Sequence, residues 1–224
     1  MRREYKMKVW RCIAFIGLVS CLIFGFGIGA RAQDANDILG KAAAAYENSN
    51  GISASFTMFT RSAGQNAGES FEGTIQMKGD KFTLVTPDAL TWFDGTTQWT
   101  YVERNDEVNV TNPTGEELQF TNPALLLNSY KKGFTAVYKG ESTAPNGKAA
   151  YDVELVPRKK GDIVKVELQI EKYSGFPARI TVTSKNGVST TIRISQLKTG
   201  INQPDSFFVF QEEEYPDAEV IDLR

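Results

Sequence analysis

Val164, Val166, Leu168 and Ile170 alternate with Lys165, Glu167, Gln169 and Glu171. Eight consecutive residues with one apolar and one wet side read as a strand in a sheet that buries a single face. The same period of two returns in Phe71, Gly73, Ile75 and Met77 against Glu72, Thr74, Gln76 and Lys78. It recurs in Phe82 and Leu84, Trp99 and Tyr101, Ile180 and Val182, and Ile192 and Ile194. Turn signals separate these runs: Gly79-Asp80, Asp94-Gly95, Asn105-Asp106, Asn146-Gly147, Gly161-Asp162 and Asn186-Gly187. Such short turns join neighbouring strands antiparallel. The expectation is a mainly β chain, a long meander in one curved sheet, and not a βαβ array.

Two segments change period. Asp34 is a good N-cap with Asp37 in the first turn, and Ile38, Leu39, Ala42, Ala45 and Tyr46 follow at helical spacing until Asn50-Gly51. Asn122 as N-cap and Pro123 at the first helical position open a second helix through Leu125, Leu126, Leu127 and Tyr130. An antiparallel sheet with one apolar face must cover it. Two short helices cannot fill a wide face tightly, which leaves either a packed aromatic core or an apolar pocket under a helical lid. Phe56, Met58, Phe71, Met77, Phe82, Trp92, Trp99 and Tyr101 are the side chains to line it, and composition leaves both readings open.

The first residues set the address. Arg2, Arg3, Lys6, Lys8 and Arg11 precede an apolar stretch from Cys12 to Ile28, and Ala30-Arg31-Ala32 follows. A basic start, an apolar middle and an A-x-A end describe a secretory signal peptide over residues 1–32, cleaved after Ala32, with a periplasmic product spanning 33–224 as one domain. An uncleaved anchor helix is the bland alternative. Leu18-Val19-Ser20-Cys21 also resembles a lipobox, in which Cys21 would be acylated, although Leu22 to Ala30 stays apolar where a tether is normally polar.

Cleavage after Ala32 removes both cysteines, and the whole chain has no histidine. Thiol and histidine nucleophile chemistry and His-based metal sites are thereby excluded, and no carboxylate loop with calcium spacing, P-loop or dinucleotide fingerprint is present. No catalytic residue, metal or cofactor is expected. Glu69, Glu72 and Asp94 are not placed as an acid/base pair. Of the 25 basic and 27 acidic residues, 6 and 1 fall in residues 1–32, which leaves the remainder at −7. That sign argues against nucleic acid and against electrostatic attraction to anionic lipid headgroups.

Five short motifs carry a family resemblance. Ser53-Ala54-Ser55-Phe56-Thr57 follows the first helix, and Phe93-Asp94-Gly95-Thr96-Thr97-Gln98-Trp99-Thr100-Tyr101 combines a D-G turn with a W-x-Y strand. Asn122-Pro123 leads into Leu125-Leu126-Leu127, Tyr173-Ser174-Gly175-Phe176-Pro177 makes a late turn, and Phe208-Val209-Phe210 precedes Pro216 to Asp222. In order and spacing across 34–222 the chain resembles the LolA-type periplasmic outer-membrane lipoprotein carriers.

The resemblance implies an incomplete antiparallel β-barrel, a half-barrel, with a helical lid over an apolar cavity. It implies a chaperone that binds acylated lipoproteins as a monomer, receives them from an inner-membrane release complex and passes them to an outer-membrane acceptor. Acyl chains would lie against Phe56, Met58, Phe71, Ile75, Met77, Phe82, Leu84, Trp99 and Tyr101. Ile38, Leu39, Leu125 and Leu126 would close over them. Where the family has an arginine that ties lid to barrel, this chain has Lys78, which lacks the rigid donor fork. An outer-membrane-anchored acceptor, if Cys21 is acylated, and a general binder of fatty acids or other apolar ligands are the alternatives.

Overall fold

The computed structural model describes residues 34–65, 67–118 and 123–224, without the side chains of residues 115, 116, 123–125, 128 and 129. The leader, Cys21 and the Asn122 cap lie outside these residues. In chain order the elements are α1 (Ala35–Glu47), β1 (Ile52–Arg61), β2 (Glu69–Lys78), β3 (Lys81–Val85), β4 (Ala89–Phe93), β5 (Gln98–Val102) and β6 (Glu107–Thr111). Then come α2 (Gly115–Leu118), α3 (Pro123–Gly133), β7 (Phe134–Thr143), β8 (Ala149–Pro157), β9 (Ile163–Glu171), β10 (Pro177–Ser184), β11 (Ser189–Thr199) and β12 (Glu219–Asp222). Among the described residues no helix is long and apolar enough to cross a membrane.

The strands form one open sheet in the order β12-β6-β5-β4-β3-β2-β1-β11-β10-β9-β8-β7. The expectation of a single meander needs correcting. Two meanders, β1 to β6 and β7 to β11, join where β1 pairs with β11. The chain leaves β6 near one edge and re-enters at β7 on the other, through the segment that holds α2 and α3. One pairing is also not antiparallel: β12 runs parallel to β6.

Register aligns the apolar side chains on one face. Ile52 sits opposite Met77, Ala54 opposite Ile75, Phe56 opposite Ile194, Met58 opposite Ile192, Ile180 opposite Leu168, and Val153 opposite Leu168. The helices cover this inner face. Ile38, Leu39, Ala42 and Tyr46 of α1 and Leu126, Leu127 and Tyr130 of α3 belong to the same buried cluster as Val153, Leu155, Val166, Leu168 and Ile170. Each fully buried aliphatic side chain there contributes about 2 kcal/mol. Asp34 caps α1 by accepting from the Asn36 backbone N–H at 2.9 Å. The Tyr130 hydroxyl donates to Asn36 Oδ1 at 2.9 Å and ties the two helices together.

The exit from α1 has little room. Gly51 has φ +93°, and a Cβ there would stand 2.1 Å from the Ile201 carbonyl oxygen, so only glycine fits between α1 and β1.

The turn between β9 and β10 seats the same end of α1. Phe176 packs edge-on against Tyr46 with ring centroids 5.1 Å apart. Gly175 backs onto Ala45. Glu171 holds this turn: its buried carboxylate accepts from Asn146 Nδ2 at 2.6 Å, Ser174 Oγ at 2.7 Å and Lys148 Nζ at 2.9 Å. Burial raises its pKa, but the bonds from Ser174, Lys148 and Asn146 outweigh that and hold the carboxyl below the ordinary range. A depressed folded pKa gives stability that is complete above the unfolded value of about 4.3 and is lost as pH falls through the lower folded value. Glu171→Gln should therefore cost about 2 kcal/mol near neutral pH. The gap to the parent should close below about pH 4, as read by urea unfolding across that range.

Candidate functional site

Where the inner face extends beyond the helices, the sheet encloses a cavity of about 140 Å³. Its walls come from β1 (Ile52, Ala54, Phe56, Met58), β2 (Ile75, Met77), Leu84 of β3, Ile180 of β10, and Ile192, Ile194 and Leu197 of β11. Among the described residues, Tyr46 is the one lining side chain from a helix. Burial pushes its phenol well above the ordinary tyrosine range, so it stays uncharged at the cavity wall. A largely apolar space of this kind accepts hydrocarbon and excludes charge.

Two backbone features shape the walls. Gly73 faces Phe56 across β1 and β2, and a Cβ there would stand 2.4 Å from Phe56 Cζ, so the missing side chain is the space that the ring occupies. In β11 a bulge opposite Ser53 and Ser55 inserts an extra residue, and Gln196 takes a left-handed φ of 50°. Ile194 and Leu197, three residues apart, consequently both reach the cavity.

The nine side chains expected to line the site separate into three groups. Phe56, Met58, Ile75, Met77 and Leu84 line the cavity. Phe71 and Phe82 share its face but lie beyond it: Phe71 packs edge-on against Phe56 at 6.3 Å, and fully buried Phe82 packs against Phe93 at 5.3 Å. Trp99 and Tyr101 are on the other side of the sheet. Met77 pairs with Phe82, Phe82 with Phe93 and Phe93 with Gln98, so Gln98 and Thr100 take the inner face and Trp99 and Tyr101 face outward. There Trp92, Phe210, Tyr215 and Tyr101 form a second aromatic cluster, with Tyr101 and Tyr215 4.7 Å apart and Trp92 and Phe210 5.5 Å apart. The chain after β11 covers that face, with Phe208 fully buried.

Of the helical residues, Ile38, Leu39 and Leu126 are buried in the main cluster, and the side chain of Leu125 lies outside the described residues. Lys78 bonds to the chain after β11. Its ammonium donates to the Gln203 carbonyl at 2.8 Å and approaches Asp205 Oδ1 at 3.4 Å, while Lys81 reaches Asp205 Oδ2 at 2.6 Å. Lys81 first and Lys78 second hold the Asp205 carboxyl below its ordinary range. Lys78 thus fastens the C-terminal strap to the β2–β3 hairpin, and its bonding partners among the described residues come from that strap.

Ile52, Ala54, Ile180, Ile192, Ile194 and Leu197 were not singled out from the sequence as site residues. The alternation in β10 and β11 marked Ile180, Ile192 and Ile194 as face residues, but the β1–β11 pairing that brings them to Phe56 is a long-range contact. Among the described residues no group of three or more His, Cys, Asp or Glu side chains is arranged to hold a metal.

The open space can be filled by substitution. Ala54→Leu places three extra carbons in it. The change should leave stability unchanged or raise it by up to about 1 kcal/mol, because a void is filled without removing a contact. Titration with an apolar fluorescent probe should show weaker uptake than by the parent.

The family model described as "Outer membrane lipoprotein carrier protein LolA" matches residues 26–187. No curated protein matches the chain. Among solved structures, an uncharacterized conserved protein from Thermus thermophilus is 16% identical with a TM-score of 0.58, covering 85% of this chain and 99% of its own. A putative outer membrane lipoprotein-sorting protein domain from Vibrio parahaemolyticus is 11% identical with a TM-score of 0.45, covering 81% of this chain and 99% of its own. A LolA superfamily protein from Nitrosomonas europaea is 14% identical with a TM-score of 0.43, covering 79% and 97%. At 16% identity the Thermus protein shares the fold.

Proposed function

This chain belongs to the LolA family of outer membrane lipoprotein carrier proteins, a family of carriers and not, in general, of enzymes, and on that premise we propose that residues 33–224 carry acylated lipoproteins through the periplasm. The observation that carries the proposal is the apolar cavity between β2, β1, β11 and β10, left open where α1 and α3 stop covering the sheet. The sheet is the half-barrel and α1 and α3 are its lid. Acyl chains enter against Phe56, Met58, Ile75, Met77 and Leu84, and Phe71 and Phe82 extend that path along the same face.

Exposing one chain of ~16 carbons to water costs on the order of 12 kcal/mol, so a carrier must hide it. A cavity of 140 Å³ is far too small for that, since a void of about 150 Å³ holds one benzene. Loading therefore displaces the helices, and Ile38, Leu39 and Leu126 leave the sheet as the chain replaces them. Lid opening then sets the rate of uptake and release. The partners follow from the family: an inner-membrane complex that releases cargo and an outer-membrane acceptor. The protein works as a monomer.

Residues 33–224 added to energised spheroplasts holding labelled outer-membrane lipoprotein should bring cargo into the supernatant as a one-to-one complex. Absence of release, with fluorescent fatty acids still bound, would replace this reading with that of a general apolar-ligand binder. Leu126→Glu should abolish cargo uptake while the β circular-dichroism signal persists. Tyr130→Phe keeps the ring and deletes the hydroxyl that links α3 to Asn36, and it should speed exchange of a bound fatty acid several-fold in stopped-flow.

A further inference from the structure

The net charge of −7 beyond residue 32 is unevenly placed. The Arg158 backbone N–H donates to the Gly133 carbonyl at 2.8 Å, and Arg158 Nε donates to the Phe134 carbonyl at 3.0 Å. These bonds set the β8–β9 loop, with Arg158, Lys159 and Lys160, against the end of α3, whose Lys131 and Lys132 are exposed. The β10–β11 turn joins them: the Lys185 backbone N–H donates to the Asp162 carbonyl at 2.8 Å, and its ammonium pairs with Asp162 Oδ1 at 2.5 Å. Six cations and one acid share this corner, and Asp162 is already engaged by Lys185. The nearby Lys165 is neutralised by Glu167 at 3.1 Å.

The corner is also a cleft. Arg158, Lys159, Lys160 and Lys185 line it together with Val156, Pro157, Ile163 and Val164. Val164 is 50% exposed and Val156 38% exposed, an unusual place for valine beside four cations. Ile163 packs against the main apolar cluster. A surface that pairs cations with protruding aliphatic side chains matches one environment on both counts: a lipid headgroup layer with anionic phosphates above and acyl carbons just below. Nucleic acid fits poorly, because no aromatic ring lines the cleft for base stacking.

We infer that the corner formed by the end of α3, the β8–β9 loop and the β10–β11 turn docks the protein on anionic membrane surfaces. The inference departs from the expectation drawn from net charge alone. Screening confines each charge to about 8–10 Å, so a membrane reads the corner that faces it and not the distant acidic surface. The uneven charge also orients the approach, because the rest of the molecule is repelled. The inference does not rest on the cavity's cargo, and the substitutions that test it leave the cavity lining unchanged.

Residues 33–224, which form one compact unit, are floated with vesicles of phosphatidylcholine alone or with one third phosphatidylglycerol. The protein should float with the anionic vesicles at low salt and separate from them at about 0.5 M salt, where the Debye length is a few Å. One basic side chain at an anionic surface raises partitioning about fivefold, so Lys159→Glu with Lys160→Glu should lower it at least about 25-fold. Lys198→Glu, a reversal on exposed β11, should change it far less. Uptake of an apolar probe by the same samples should be unaffected, which separates failed docking from a failed fold or cavity. Equal flotation on neutral vesicles, or no effect of the double reversal, would overturn the inference. Absence of flotation on either lipid would also overturn it, and would point to an acidic protein as the partner.

Discussion

Everything in this fold follows from one apolar sheet face that is wider than the helices available to cover it. The sheet joins the strands from β6 to β7 into one surface, whereas α1 and α3 provide 13 and 11 residues of helix. An apolar face left in water is unfavourable by about 25 cal/mol per Å². The helices are therefore held where they cover most, over the β7 to β10 half, by the main cluster, the Tyr130–Asn36 bond and the Phe176–Tyr46 contact. The cavity is the remainder. It is the part of an ordinary core that the helices reach only through Tyr46.

The crossing from β6 to β7 produces this geometry. A continuous meander would place its helical interruption beside a single edge. Here the interruption carries the chain from one side of the sheet to the other, and in doing so it brings α3 onto the inner face. The junction between the two meanders is then the β1–β11 pair, and the cavity lies directly over it. The outer face of the β3 to β6 half needs a cover of its own. The strap after β11 supplies it, with Phe210 and Tyr215 on the aromatic residues of β4 and β5, and Lys78 and Lys81 fasten the strap through Asp205.

How far the sequence could be read depended on the range of the interaction. The strands around Val164 to Ile170, the turns and the cap at Asp34 are local, and period or turn chemistry identified them. Trp99 and Tyr101 show the limit. Their alternation marks one apolar face of β5, but which side of the sheet that face meets depends on strand register and on a cover that arrives only with the strap after β11. The inner face at β5 bears Gln98 and Thr100, which carry no hydrophobic signal. The bond that Lys78 makes was out of reach for the same reason, since its acceptor on Gln203 is 125 residues away. Leu197 was hidden by the bulge at Gln196, which breaks the period that alternation reading relies on.

A carrier must satisfy two opposed demands, and the partly covered face answers both on the proposed reading. A large preformed cavity would bind an acyl chain with most of the ~12 kcal/mol that its exposure costs, and release would be slow. Here each segment of chain that enters displaces a helical side chain from the sheet. Freeing Ile38, Leu39 and Leu126 costs about 2 kcal/mol apiece, offsetting part of the gain. Cargo then exchanges one apolar contact for another, and the net affinity is a small difference between two large burials. A difference of that kind keeps the chain out of water, yet leaves it within reach of an acceptor that offers only slightly more apolar surface.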